Sequence, residues 1–334
     1  MSSAVIQTIP LSMQWPTVDP FLFCAHHNDN YPAGDGDLAP ATSLDGRDIG
    51  QDFSNLDGWS MYHGSSVPGF PQHPHRGFET ITFVRRGLID HSDSLGATAR
   101  FGRGDVQWLT AGSGIQHCEM FPLVNTEAGN PTELFQIWLN LPASDKMVDP
   151  YFTMLWADEI PKVVETDADG NVTTITVIAG TYRDTLALSP PPNSWAARSE
   201  ADVAVWHLEL EAGATWTLSA ARNGNESTRT LYFFEGDALT IDGVVVESSN
   251  AVVLEAGRDV VLHAHNGAVE CMLLQGQPLR EPVARYGPFV MNTKAEIQQA
   301  FEDYQRTEFG GWPWAKADPV HAVGQERFAR NPAR

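Results

Sequence analysis

Apolar and polar residues alternate along much of this chain in short runs that are typical of β-strands. In the run LFQIWLNL, the apolar residues Phe135, Ile137 and Leu139 alternate with others that include Gln136 and Asn140. Residues i and i+2 of a strand point to the same side of a sheet, so one face of this run belongs in a core. FETITFV, VQWLT and GIQHCEM are similar, and turn residues rather than helices separate them. Short strands at such close spacing predict an antiparallel sandwich or barrel.

The second half of the chain repeats the rhythm of the first half. It contains the runs VAVWHLEL, TRTLYFFEG, DVVLHAH and ECMLLQG, and its segment LEAGRDVVL parallels RFGRGDVQWL in the first half. We therefore predict two β-barrel domains of one kind. The predicted division is a first domain over residues 1–145, a bridge over 146–200, a second domain over 201–290, and a helix and tail over 291–334.

Two segments depart from the strand pattern. Thr293 and Glu296 form a capping box, and apolar residues recur at helical spacing from Ile297 to Tyr304, which predicts one short C-terminal helix. Residues 24–66 are polar, rich in Gly and Asp and weakly patterned, and we predict a long insertion with little regular structure. Three histidines of the insertion are interpreted as surface residues of a loop: His26, His27 and His63.

Composition limits the classes of partner. The 334 residues are 42% hydrophobic, which is enough for a substantial core, and the formal net charge is −21. A chain this acidic is not suited to direct binding of nucleic acid or of an anionic membrane, because both require a basic face. We expect neither partner, and no apolar run approaches the length of a membrane span.

The cysteines and the N-terminus bear on location. Cys24, Cys118 and Cys271 are far apart, and an odd, sparse set indicates a reducing compartment instead of a disulfide framework. The N-terminal residues lack the basic start and apolar core of a secretory signal. We therefore predict a cytoplasmic protein.

Residues of the metal-binding type form two pairs with the same spacing. His73 and His75 make one pair, and His117 and Glu119 make the other. On strands, each pair would lie on one side of a sheet, and together they would offer three imidazoles and one carboxylate. This set suits Fe(II), Mn(II), Ni(II), Cu(II) or Zn(II) and leaves positions open for catalysis. On a regular strand Glu79 would share the face of His73 and His75, so it is either a rival ligand or a hydrogen-bond partner of one.

Strand alternation also separates Cys118 from this candidate site. Since His117 and Glu119 face one way, Cys118 faces the other way and is interpreted as a packed thiol.

The blocks HPHRGFET, GDVQWLTAGSGIQHCEM and GPFVMNT with EIQQAFEDY resemble the pirin family of the cupin superfamily. The resemblance is close over residues 66–145, looser through the second barrel, and strong again over Leu279–Tyr304. It implies an all-β bicupin fold, that is, two cupin (jelly-roll) β-barrels with a short C-terminal helix. It also implies a metal in the N-terminal barrel only.

By the pattern of that family, His73, His75, His117 and Glu119 are the metal ligands, and the metal is usually iron. The resemblance then makes Glu79 a neighbour of the metal instead of a ligand. The second barrel contains three further histidines, which we interpret as structural because no matching carboxylate segment accompanies them: His207, His263 and His265.

Two functions follow from the resemblance. Some pirins resemble quercetin 2,3-dioxygenases, so the favoured function is O₂-dependent cleavage of a flavonol or another aromatic enol. In that reaction Glu119, with Glu79 as second choice, would accept the proton of the substrate hydroxyl. The alternative is a non-catalytic, iron-binding regulator that acts through protein partners, which the acidic surface predicts to be basic proteins.

Overall fold

The protein is described here from a computed structural model, which covers residues 3–331. Nearly all of its regular structure is β. The strands of the first half are β1 (Val5–Pro10), β2 (Gln14–Trp15), β3 (Phe21–Tyr31), β4 (Gly69–His75), β5 (Phe78–Arg86), β6 (Leu88–Asp93), β7 (Thr98–Gly102), β8 (Val106–Thr110), β9 (Ile115–Met120), β10 (Asn130–Asn140) and β11 (Tyr151–Leu155).

The strands of the second half are β12 (Lys162–Thr166), β13 (Val172–Ala179), β14 (Thr181–Tyr182), β15 (Thr185–Leu186), β16 (Ala204–Leu210), β17 (Thr215–Leu218), β18 (Thr228–Glu235), β19 (Ala238–Ile241), β20 (Val244–Glu247), β21 (Asn250–Leu254), β22 (Val260–Ala264), β23 (Val269–Gly276), β24 (Ala284–Tyr286), β25 (Phe289–Met291) and β26 (Phe328–Arg330). Single turns of 3₁₀-helix occupy Leu56–Gly58, Trp195–Ala197, Ser199–Ala201, Gly224–Glu226 and Glu308–Gly310.

The predicted C-terminal helix is confirmed as α1 (Lys294–Thr307). Thr293 Oγ1 accepts a hydrogen bond from the backbone N–H of Glu296, and the Glu296 carboxylate accepts one from the backbone N–H of Thr293, so the capping box is present. The helix buries Ile297 and Ala300 against β25. Within residues 3–331, no helix is both long and apolar enough to cross a membrane.

The chain divides into two compact units. The first unit comprises the chain up to Ala25, Trp138–Asn140 and Asp158–Arg280, and the second comprises His26–Ile137, Leu141–Ala157 and the chain from Glu281 onward. This grouping differs from the predicted linear domains at both termini, because β1 pairs with β21 in the first unit and β26 pairs with β7 in the second. The predicted domain limits themselves stay a prediction.

The first unit contains a seven-stranded antiparallel sheet in the order β1-β21-β18-β23-β16-β13-β12 and a four-stranded sheet in the order β17-β22-β19-β20. Alternate residues of the central strands are apolar and point to one side, as period-two patterning requires. Leu208, Leu231 and Leu273 of the large sheet share one buried cluster with Leu239 and Leu262 of the small sheet. This cluster is the core of the first unit.

In the second unit, one sheet contains strands in the order β11-β8-β5-β10-β3, and a second sheet has the order β26-β7-β6-β9-β4. Val84 and Leu109 from the first of these sheets share a buried cluster with Phe101 and Ile115 from the second. The strands β4 and β9, which carry the predicted ligands, are neighbours in the five-stranded sheet.

The prediction of little regular structure over residues 24–66 is wrong for its start, where β3 continues to Tyr31. His26 and His27 lie on this strand, and the His27 side chain is buried, so the loop interpretation of both is wrong as well. The polar sequence HHNDN lacks the apolar alternation by which a strand is predicted. Its neighbours in the sheet stabilise the strand and set its register. His63 is exposed and lies outside any strand, and the interpretation of this residue is confirmed.

The rest of the insertion, residues 32–66, has isolated β-bridges and one 3₁₀ turn in place of strands, but it is firmly packed. Arg47 donates hydrogen bonds to the carboxylate of Asp52 (2.9 Å) and to the carbonyls of Trp59 (2.8 Å) and Leu56 (2.7 Å). Its guanidinium carbon also lies 3.3 Å from the centre of the Trp59 ring. A buried guanidinium that donates to a carboxylate and to two backbone carbonyls fixes the course of an irregular segment.

Candidate metal centre

Three of the four predicted ligands meet in the structure. His73 and His75 lie on β4 and His117 lies on β9, and the register places His73 directly opposite His117. One ligand atom from each of the three lies within 4.8 Å of the others. The ring centres are 4.4 Å apart for His73 and His117, 4.8 Å for His73 and His75, and 4.9 Å for His75 and His117. We call these residues the histidine triad.

Burial keeps the histidine triad neutral. Loss of solvation lowers the pKa of His73 to about 4 and holds the pKa values of His75 and His117 well below 6.5. The neighbouring rings lower the pKa of each further, since adjacent imidazolium ions would repel one another. Neutral imidazoles are the form that binds a metal ion.

Backbone contacts orient two of the rings. His73 Nδ1 lies 2.8 Å from the carbonyl oxygen of Pro71, which leaves Nε2 as the ring nitrogen able to bind a metal. A hydrogen bond to the backbone of Pro288 raises the pKa of His75 against the lowering effect of burial. His117 is fully buried, and neither of its ring nitrogens has a hydrogen-bond partner in the part of the chain that the structure describes. Buried nitrogens that face other imidazoles without a partner fit a metal ion, so the residues present are suited to one.

Glu119 lies beside the histidine triad but is not part of the cluster. It follows His117 by two positions on β9, and its carboxylate accepts hydrogen bonds from Gln136 Nε2 (2.5 Å) and Thr82 Oγ1 (3.3 Å). Burial raises the pKa of this carboxyl, while His91 and the two hydrogen bonds lower it. The role of Glu119 as a ligand therefore stays a prediction.

The argument that one regular strand places Glu79 on the same face as His73 and His75 is wrong. β4 ends at His75 and β5 begins at Phe78, so no regular strand joins Glu79 to the two histidines. Gly77 interrupts the strand with φ +86°, and a Cβ at this position would lie 2.0 Å from the carbonyl oxygen of Val290. Glu79 is buried on β5, where its carboxylate accepts a hydrogen bond from Thr110 Oγ1 (2.5 Å). Its catalytic role stays a prediction.

One histidine that sequence reasoning missed borders the site. His91 lies on β6 opposite Glu119, and its ring centre is 5.6 Å from that of His117. It is fully buried, stacks on Phe152 at 5.0 Å, and its Nε2 lies 3.3 Å from Asp93 Oδ2. The segment LIDHSDS is a predicted strand that contains this histidine, but only the pairing of β6 with β9 shows which face His91 occupies.

Aromatic rings surround the histidine triad. Phe78 lies 5.0 Å from His75 and Phe70 lies 6.4 Å from His73, measured between ring centres. Tyr62, from the insertion, stacks on Phe70 at 5.1 Å. The packed insertion thus contributes to an apolar surrounding, which limits access of water and strengthens electrostatic interactions in the site.

The packed-thiol interpretation of Cys118 is confirmed. Cys118 is fully buried in a separate cluster with Leu38, Val67 and Met120, and burial raises the pKa of its thiol. All three cysteines are free and buried.

Each histidine singled out in the second half has a polar partner. His207 Nε2 lies 2.8 Å from a carboxylate oxygen of Glu270, His263 Nδ1 lies 2.9 Å from Thr215 Oγ1, and His265 Nε2 lies 2.8 Å from Thr240 Oγ1. The prediction that this barrel carries no metal stays a prediction.

Comparison with known proteins places this architecture in a family. The family model for pirin matches residues 4–139, and the model for the pirin C-terminal cupin domain matches residues 205–310. The chain belongs to the pirin family. Its all-β fold of two cupin domains with one short C-terminal helix, which the sequence predicted, is therefore confirmed.

Relatives from several kingdoms share most of this chain. A Pseudomonas aeruginosa protein that is provisionally named a quercetin 2,3-dioxygenase is 38% identical, over 72% of this chain and 79% of its own. Human pirin is 34% identical, over 79% of this chain and 87% of its own. The crystal structure of quercetin 2,3-dioxygenase from Acinetobacter baumannii matches 93% of this chain and 99% of its own, with a TM-score of 0.72 and 27% identity.

Proposed function

We propose that this pirin is a metal-dependent oxygenase that cleaves a flavonol or similar aromatic enol with O₂. The observation that carries the proposal is the histidine triad, three neutral imidazoles gathered beside the buried carboxylate of Glu119. The quercetin 2,3-dioxygenase of Acinetobacter baumannii, which matches nearly the whole chain, supports the choice of substrate class.

His73, His75, His117 and Glu119 are the residues that would hold the metal. Iron is the metal we propose, and Mn, Ni, Cu and Zn are alternatives because the same donor set suits them. A bound metal would supply Lewis acidity towards the substrate hydroxyl and, in the case of iron, a route for electrons to O₂.

Glu119 is the proposed proton acceptor. Its carboxylate lies beside the triad, and the hydrogen bonds from Gln136 and Thr82 fix the orientation of both oxygens. A carboxylate held this way can accept the proton of the enol hydroxyl, which leaves an electron-rich anion that O₂ can attack. Glu79 is the second candidate for this role.

The surroundings suit the same chemistry. Phe70 and Phe78 lie against His73 and His75, and Tyr62 stacks on Phe70, so apolar rings next to the triad would limit the access of water to the anion. The three free cysteines support our proposal that the protein works in the reducing cytoplasm.

Admission of O₂ to an anaerobic, iron-loaded sample mixed with quercetin tests this function. Loss of the quercetin absorbance should begin only after O₂ enters, and His117→Ala should abolish it. His263→Ala is the matched control, because His263 is a partly exposed histidine of the other unit. Absence of turnover by the wild-type protein, or equal turnover by His117→Ala, contradicts the proposal.

A further inference from the structure

The first unit contains a cavity of about 650 Å³ that is separate from the histidine triad. This volume is in the range of small-molecule sites. The bridging segment forms one wall with the consecutive residues Leu188 to Pro192, and strands β16, β18 and β23 contribute Trp206, Arg229 and Gln275. The three consecutive prolines of this segment, Pro190 to Pro192, thus line a cavity.

Arg229 is a buried cation of this cavity, and no carboxylate of the described residues lies within salt-bridge distance of it. Its side chain is 2% exposed, and it donates hydrogen bonds to Gln275 Oε1 from Nε (2.8 Å) and Nη2 (2.5 Å) and to the carbonyl of Ser219 from Nη1 (2.8 Å). These acceptors are neutral. Burial lowers the pKa of Arg229 to about 10, although the carboxylates of Asp202 and Asp259 act in the opposite direction. The pKa of Arg229 stays lowered in spite of these two carboxylates, so an anion that binds directly to its guanidinium would stabilise the buried charge further.

Basic side chains also outnumber acidic ones among the other charged residues of the lining. Three further arginines line the cavity, namely Arg183, Arg198 and Arg222, and the single acidic side chain is Asp202. Arg183 pairs with Glu165 at the surface, and Asp202 is engaged by the hydroxyl of Ser227. Four arginines around one cavity are a local reversal of charge in a chain with 21 basic and 42 acidic residues. Such a reversal attracts a small anion.

Trp206 gives the cavity an apolar wall and an unused donor. Its side chain is 6% exposed, and its indole N–H has no hydrogen-bond partner among residues 3–331. Tyr182 packs edge-on against it with ring centres 5.2 Å apart. Aromatic rings favour a flat or apolar ligand body, and a buried N–H without a partner favours an acceptor on that ligand.

We propose that this cavity is a binding site for small aromatic carboxylates. The carboxylate is placed towards Arg229 and the indole N–H of Trp206, and the ring packs against the apolar wall. The rim arginines attract the anion to the cavity. This site is independent of the oxygenase function proposed above, because its lining shares no residue with the histidine triad.

Titration of the full chain with sodium benzoate, followed by the tryptophan indole signals in ¹H–¹⁵N spectra, tests the proposal. The Trp206 signal is assigned by its loss in Trp206→Phe. We expect a saturable shift of this signal with a millimolar or tighter Kd, and binding at least about tenfold weaker for neutral benzamide. Arg222→Gln should weaken benzoate binding about two- to fivefold, because Arg222 is an exposed rim residue.

Arg280→Gln is the control for general loss of positive charge, because Arg280 is exposed, pairs with Glu226 and lies outside the cavity lining. It should leave the benzoate Kd unchanged. The proposal is overturned if the Trp206 signal does not shift below about 20 mM benzoate. Equal binding of benzamide, or equal weakening by Arg280→Gln and Arg222→Gln, overturns it as well. Because both arginines are exposed, the comparison does not depend on variants of the core.

Discussion

Metal binding by the histidine triad at pH 5.5 should release few protons. A metal ion and a proton compete for the same imidazole nitrogen, so every protonated ligand releases a proton when the metal binds. A solvated histidine with a pKa near 6.5 is about 90% protonated at pH 5.5, and three of them would release about 2.7 protons per metal.

The structure predicts that fewer protons are released per metal ion. Burial lowers the pKa of His73 to about 4 and keeps those of His75 and His117 well below 6.5, so these rings bind fewer protons at pH 5.5 than three solvated histidines would. Because the pKa of Glu119 is raised, that carboxyl can contribute up to one proton if it binds the metal. The expected release is therefore about one proton or fewer.

Calorimetric titration with Zn(II) at pH 5.5, in two buffers with different ionisation enthalpies, counts these protons. Zn(II) is suitable because it has no redox chemistry. Near-ultraviolet circular dichroism confirms that the metal-free protein is folded at this pH. Release of two to three protons per metal would refute the reasoning, because the histidines would then be solvated and charged before the metal binds.

Two further predictions concern the neighbours of the site. Gln136→Leu removes the donor that holds Glu119 and should lower kcat/KM for quercetin about 10- to 100-fold with unchanged metal content, and loss of the metal would contradict this reading. Arg47→Met leaves the Asp52 carboxylate buried without its partner and should lower the free energy of unfolding in urea by about 3–5 kcal/mol. Arg280→Gln, at an exposed ion pair, should change it by less than about 1 kcal/mol, and equal effects would contradict the account.

The strands and the histidine triad could be predicted from the sequence, because strand formation and the shared face of two ligands both depend on local spacing. His73 and His75 are two positions apart on one strand, and His117 lies on its neighbour. Alternation also placed Cys118 on the opposite face, as the structure has it. Such patterns depend on the two-residue period of a strand, which is independent of how the strands pair.

The predictions that were wrong, and the histidine that was missed, depend on how strands pair and on where the backbone is irregular. The argument for Glu79 assumed a strand without a break, but Gly77 interrupts it. His91 joins the site only through the register of β6 with β9, which the sequence did not reveal. β3 extends into the insertion because sheet neighbours stabilise a polar strand, and Arg47 fixes the remainder through contacts with backbone carbonyls.

The stoichiometry of O₂ uptake tests the central claim most directly. Iron-loaded protein supplied with quercetin and ¹⁸O₂ should consume one O₂ for each flavonol, and mass spectrometry should find both oxygen atoms in the cleaved product. His117→Ala should show neither uptake nor labelled product, while His263→Ala, in the other unit, should behave like the wild type. Quercetin loss without matching O₂ uptake, or labelled product formed equally by His117→Ala, would contradict the assignment of an oxygenase site to the histidine triad.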